Sequence, residues 1–274
     1  MAAFPERRVS RMAAWARRLS AFSLVLLVTA GAGHRYGLVE SYGFLWTLAL
    51  VALLALAGLV LAAGGFAQLW RHGARGGRAS LAATLLGAAV LVPYGVAGWL
   101  YLTLPALTDI STDLDEPPPF VIAPRLRTPQ MNALGPITRE AAAAQSRYYP
   151  EVVGRRLDAS VERVLAALAP VVAARGWKPR APMPTAAGGR PEILIEMEAP
   201  SLLMRFPADA VLRLTDEDET TFVDIRMAAR YGPHDLGANA RRITAFMADL
   251  AAELERQSLE IIDIPPSDGP QTGR

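Results

Sequence analysis

Apolar residues are arranged in two different ways along this chain. Up to about residue 104 they form long runs separated by short polar segments, and beyond it they recur at the spacings of strands and amphipathic helices. Phe44 to Phe66 is an uninterrupted apolar stretch. About 20 residues rising about 1.5 Å each cross the roughly 30 Å hydrocarbon core, so this stretch predicts a membrane span. Ala79 to Leu104 predicts another, with a kink at Pro93, where a backbone donor is lost. The run that begins at Leu19 follows Arg7, Arg8, Arg11, Arg17 and Arg18. It reads as a retained span over about 19–39, in preference to a signal peptide cut near Ala30-Gly31-Ala32. Tyr42, Trp46, Trp70, Trp99 and Tyr101 fall near the span ends, as interfacial aromatic belts do. Gly58 with Ala62, and Ala83 with Gly87, have the small-xxx-small spacing that lets membrane helices pack closely.

After the spans the pattern changes. Residues 105–147 are rich in proline, acid and small side chains, and Pro117-Pro118-Pro119 predicts an extended, semi-rigid linker, with a short helix from Thr138 to Ser146. A compact domain is expected over 148–263. Asp158 or Ser160 caps a helix whose stripe is Val161, Val164, Leu165, Leu168 and Val172, with Pro170 as a kink and Gly176 as the stop. Strand candidates follow at Ile193 to Ala199, Leu202 to Phe206, Ala210 to Leu214 and Phe222 to Arg230, with the four acids Asp216 to Glu219 as an exposed hairpin loop. Gly232-Pro233 ends the last strand, and Leu236, Ala240, Ile243, Met247, Leu250 and Leu254 form the stripe of a final helix. The predicted architecture is a three-span α-helical membrane region over 1–104 followed by an α+β two-layer domain. In that domain an antiparallel sheet carries both helices on one face. Residues 264–274 are expected to be a disordered tail.

Composition sharpens this. A chain of 274 residues with 52% hydrophobic and 20% charged residues is not an ordinary soluble domain. It has no cysteine, which excludes disulfides, thiolate metal sites and cysteine nucleophiles. Residues 105–274 hold 19 Lys and Arg against 24 Asp and Glu, a formal charge of −5, so the basic excess belongs to the membrane flanks and not to a nucleic-acid surface. Five N-terminal arginines and Arg71, Arg75 and Arg78 in the second loop, against Arg35 beside Glu40 in the first, place the N-terminus inside. The C-terminal domain then lies outside the cytoplasm at the inner membrane, in a periplasm if the source has one.

Candidate chemistry collects around the last strand and helix. Arg226 and Arg230 share a strand face, and Asp235 stands at the start of the helix with Asn239 one turn on. Guanidinium forks beside a helix N-terminus suit an anion, while the same residues also make an ion-pair and capping network that fixes a corner. His234 beside Asp235 is a weak candidate acid–base pair, since no nucleophile motif accompanies it, and a solvent-facing turn residue is the favoured reading. Arg241 and Arg242 are expected on the solvated helix face. Asp109, Asp113, Asp115 and Glu116 lack the glycine-punctuated spacing of a calcium loop, and no His-x-x-x-His pair or phosphate loop is present. No metal or cofactor is expected.

The segment Arg226-x-x-x-Arg230-x-Gly232-x-x-Asp235-Leu236-Gly237-x-Asn239 resembles the signature of a bacterial family, the domain of unknown function fourteen-ninety-nine. Asp109-Ile110-Ser111-Thr112-Asp113 with Pro117, Pro118 and Phe120 is similar to the segment this family carries just after its membrane anchor. The resemblance covers roughly residues 105 to 256. It implies a fold and a membrane-anchored context and supplies no reaction. The family's positions between the two arginines usually bear hydroxyls, whereas Met227 and Ala229 stand here, which argues against a nucleophile at that point. The functional expectation is a non-enzymatic envelope binding or scaffold module. Besides the lipid bilayer, its expected partner is an anionic ligand, a lipid headgroup, a glycan or a membrane protein, held at Arg226, Arg230, Asp235 and Asn239. The alternative is an envelope hydrolase or transferase with His234 and Asp235 as acid–base groups.

Overall fold

The computed structural model describes residues 9–262, with side chains to 259; the expected tail over 264–274 lies outside the described residues. The chain divides into two units.

Of the described residues, the first unit holds 9–103 with 203–206 and is built on α1 (Arg11–Arg35), α2 (Ser41–His72) and α3 (Gly77–Thr103). At 25, 32 and 27 residues, all three are long and apolar enough to cross a membrane. Each differs from the span read in the sequence, because helices continue past the apolar run until something stops them. Ser10 accepts a hydrogen bond from the Ala13 N–H and starts α1 ahead of its arginines, and Gly73, at φ 59°, ends α2 beyond Arg71. Pro93 lies within a continuous α3.

Close contact between the three helices rests on small side chains. Ala13, Ala16 and Ser20 of α1, Gly58, Ala62 and Gly65 of α2, and Ser80, Ala83 and Gly87 of α3 are buried against one another. A Cβ at Gly58 would collide with Ser20 Oγ and lie 3.3 Å from the Ser20 backbone nitrogen, and one at Gly65 would collide with Ser80 Oγ. Such seams let backbones approach where lipid supplies no hydrophobic drive for helix pairing.

The second unit holds residues 104–202 and 207 onward. Its sheet is antiparallel throughout, in the order β1 (Asp109–Ser111), β6 (Thr220–Ala229), β5 (Ala208–Glu217), β4 (Glu192–Glu198), β3 (Lys178–Pro179), with β2 (Arg155–Leu157) also pairing with β6. Alternation gives the sheet one apolar face. Ile193, Ile195, Met197, Ala210, Leu212, Leu214, Val223, Ile225 and Met227 form a core with α6 (Val161–Ala174) and α7 (Ala238–Ile262). In it Trp177 stacks on Phe246 with centroids 5.0 Å apart. The structure thus has the expected α+β two-layer arrangement, and three short strands extend the sheet.

Three local expectations are corrected. Residues 105–147 are not a linker: they supply β1, α4 (Ala123–Leu126) and α5 (Arg139–Tyr148), and belong to the folded unit. Leu202 to Phe206 is a turn, with Arg205 at φ 58°, and pairs with no strand. The four-acid loop shrinks to a two-residue turn at Asp218-Glu219, because Asp218 adopts φ 63° and Glu217 is held by Arg156 at 2.6 Å.

Replacing Gly58 by Leu is expected to lower the melting temperature of the detergent-solubilised protein and to broaden its elution profile. Gly95→Leu, where an added Cβ meets nothing within 4 Å, is expected to leave both unchanged. Circular dichroism and size-exclusion chromatography check the pair.

Candidate functional site

The second face of the sheet is charged, and this is where the candidate site takes shape. Glu196 and Glu198 of β4, Asp209 and Arg213 of β5, and Asp224 and Arg226 of β6 project from it, followed by Arg230. Burying charges is costly unless each is paired and hydrogen-bonded. Many of the partners come from residues 109–135. Arg226 makes a two-pronged pair with Asp109, at 3.0 and 2.7 Å, and donates to Gly135 O at 2.6 Å. Arg213 bridges Asp113 and Asp224 at 2.7 and 2.8 Å, and Thr112 Oγ1 donates to Asp224 at 2.8 Å. The Glu196 carboxylate accepts the backbone N–H groups of Val121, Ile122 and Ala123 at 2.5, 2.7 and 2.8 Å.

Asp209, 1% exposed, is the most heavily used of these groups. Arg127, Arg180 and Arg230 converge on it at 2.9, 2.5 and 2.8 Å. Burial alone would raise its carboxyl, but hydrogen bonds and charge from Arg230, Arg180 and Arg127 outweigh this and hold it below the usual carboxylate range. Arg127 also donates to the carbonyls of Asn132, Ala228 and Ala229, fastening the covering segment to the end of β6.

The residues expected to form one corner are divided by the sheet. Arg226 and Arg230 lie on the charged face, whereas Asp235 and Asn239 belong to the start of α7, which packs on the apolar face. Leu236 and Gly237 take φ 55° and 70°, so the turn into α7 is tight. Asp235 holds it by accepting from the N–H groups of Gly237 and Asn239, both at 2.8 Å. Burial pushes the Asp235 carboxyl up, and those two N–H bonds offset only part of the effect. Asn239 Nδ2 donates to Thr108 O at 3.0 Å and approaches Met227 O at 3.4 Å. His234 is not a solvent-facing turn residue: Nδ1 accepts from the Leu236 N–H at 2.9 Å, which leaves Nε2–H to donate to Leu104 O at 3.1 Å. Arg242 is not on the solvated face either. It donates to Ala199 O and lies 5.7 Å from the Trp177 ring centre, and burial, then the Arg175 charge, lower it to about 10.

Of the expected ligand residues, Arg226 borders a cavity in the covering segment. An open cavity of about 390 Å³ is lined by Leu114, Pro117, Pro119, Phe120, Pro124, Leu134, Gly135, Pro136 and Ile137, with Asp115 and Arg226 as its charged side chains. The Phe120 ring lies 5.1 Å from the guanidinium carbon, a cation–π distance. Arg226 Nη1 also donates to Pro118 O, at 3.4 Å. A second cavity of about 420 Å³ borders Asp113, Asp115, Asp224 and Tyr149. Among the described residues no group of three His, Cys, Asp or Glu side chains is placed to hold a metal ion.

Residues 109–250 match the family described as "Protein of unknown function (DUF1499)". No curated protein and no solved structure matches the chain.

Asp209→Asn is expected to destabilise the purified protein by roughly 3–5 kcal/mol, because it leaves three guanidiniums converging on an uncharged group. A carboxyl held below its unfolded value stabilises the fold above the ordinary carboxylate range, near pH 4, and that contribution is lost as pH falls through the lower folded value. Wild type should therefore lose stability on acidification below about pH 4 more steeply than Asp209→Asn. Denaturant unfolding across that range measures both effects; identical acid limbs would assign the loss to other groups.

Proposed function

With residues 109–250 matched, the chain belongs to the DUF1499 family, and from that premise we propose that it is a membrane-anchored binding module for an amphipathic ligand with an anionic head. The observation that carries this reading is the cavity beside Arg226. Its lining is largely apolar and rich in proline, Asp115 is its one acid, and its one cation, Arg226, is already fixed in place by Asp109 and Gly135 O. Preorganised guanidinium and apolar walls together suit a lipid headgroup with part of its chain better than a glycan, whose hydroxyls need many polar partners. The acid–base alternative lacks comparable support. Both nitrogens of His234 are engaged with backbone groups, and both oxygens of Asp235 accept backbone N–H bonds.

The three helices support the anchoring, and the arginines at the N-terminus and at 71, 75 and 78 support a non-cytoplasmic position for the folded domain. The absence of cysteine gives a direct test. Glu219→Cys, on the exposed β5–β6 turn, should react with an impermeant maleimide in intact spheroplasts. Labelling only after lysis would reverse the orientation.

Gly135 lines the cavity, and a Cβ added there meets nothing within 4 Å, so a large side chain is expected to fill the space without disturbing the fold. Native mass spectrometry of the full-length protein in mild detergent is expected to show a bound amphipathic species on wild type and its loss from Gly135→Trp at unchanged melting temperature. The same adduct on both proteins would overturn the assignment.

A further inference from the structure

The bundle has a defined polarity. Ala13 and Ser20 of α1 meet Gly65 and Gly58 of α2, Gly65 and Leu59 of α2 meet Ser80 and Gly87 of α3, and Tyr94 Oη donates to Leu48 O. Each helix is therefore antiparallel to the next. The end of α1 at Arg35, the start of α2 at Ser41 and the end of α3 at Thr103 lie at one end of the bundle, and Arg11 at the start of α1 and the α2–α3 turn with Arg75 lie at the other.

Residues 203–206 fold with the helices at the arginine-poor end. His34 bonds Met204 O through Nδ1 at 2.7 Å and Ser41 Oγ through Nε2 at 2.9 Å. Arg35 donates to Leu203 O at 2.6 Å. The Phe206 ring joins the stacked pair of His34 and Phe44, with centroid separations of 5.0 and 5.6 Å. Backbone carbonyls and a ring thus fasten this turn to the bundle, and the side chains of its leucines are exposed. Leu202 is 73% exposed and Leu203 78%. Tyr42, Trp46, Trp99 and Tyr101, all exposed, mark the same end as an interfacial belt.

We propose that the turn at Leu202-Leu203 is a lipid-inserting tip, whose leucines enter the interfacial region of the bilayer beside the ends of α1 and α2. The inference rests on the reading that the helices span a membrane. A pair of exposed leucines on a turn held at the level of an aromatic belt meets headgroups and upper acyl chains, and its apolar area leaves water there. Arg35, through its bond to Leu203 O, helps to hold the turn's backbone at this depth.

Site-directed spin labelling of the cysteine-free, full-length protein tests the proposal in vesicles of phosphatidylethanolamine and phosphatidylglycerol. Labels go on Leu203→Cys and Leu202→Cys, with Leu53→Cys on the exposed middle of α2 and Glu219→Cys on the exposed β5–β6 turn as references. Collision with oxygen, which concentrates in lipid, is compared with collision with a water-soluble nickel chelate. The oxygen-to-nickel ratio at 203 and 202 should exceed that at 219 by several-fold and fall below that at 53. A ratio equal to that at 219 places the tip in water and overturns the proposal. Low collision with both reagents means that protein covers it, which also overturns it. A water-like ratio at 53 would instead overturn the membrane-spanning premise.

Discussion

The folded domain depends on one constraint: its sheet is covered on both faces, and one of those faces carries charge. An apolar face needs only shape-matched side chains, which α6 and α7 provide. A charged face needs a partner for each group, at the right distance, from chain that lies over it. Asp109, Asp113, Arg127 and the N–H groups of Val121 to Ala123 meet that need, so the proline-rich segment is as much a part of the fold as the strands. Its prolines hold an irregular path that no ladder of hydrogen bonds would hold. They also leave, between segment and sheet, the space that Arg226 borders. Cavity and ion pairs thus have a common origin.

The helical unit obeys different rules. Much of its seam is glycine, alanine and serine, and many of its large apolar side chains are exposed, while Phe44, Val51 and Val90 are buried. In water that distribution would be inside out, whereas against lipid it is the expected one. The same contrast explains why two leucines on a turn carry functional meaning. On a domain in water they would be an ordinary surface exception.

Much of this was legible in the residues. Helix spacing gave α6 and α7, and alternation gave β4 to β6, because each of these elements buries one regular face. The family motif was legible too, and Asp235 as a cap follows from its position ahead of the final stripe. What could not be read was long-range pairing. Arg226 and Asp109 are 117 residues apart, and nothing near either names the other. One signal was available and passed over: Asp209 interrupts the apolar strand Ala208 to Leu214, and an acid in such a place demands a buried cationic partner. Triple proline suggested a spacer because proline disfavours regular structure, yet irregular chain can still be packed. Residues 202–206 read as a strand from composition alone, while Arg205 in the left-handed region shows that the backbone turns.

Amide hydrogen exchange across residues 117–127 of the full-length protein tests the central claim most directly, since it asks whether the covering segment is integral to the fold. If Glu196 holds the N–H groups of Val121, Ile122 and Ala123, these amides should exchange as slowly as those of β5 and β6. Exchange at the rate of an unstructured peptide would contradict it, and the charged face, the cavity beside Arg226 and the ligand assigned to it would then lose their common support.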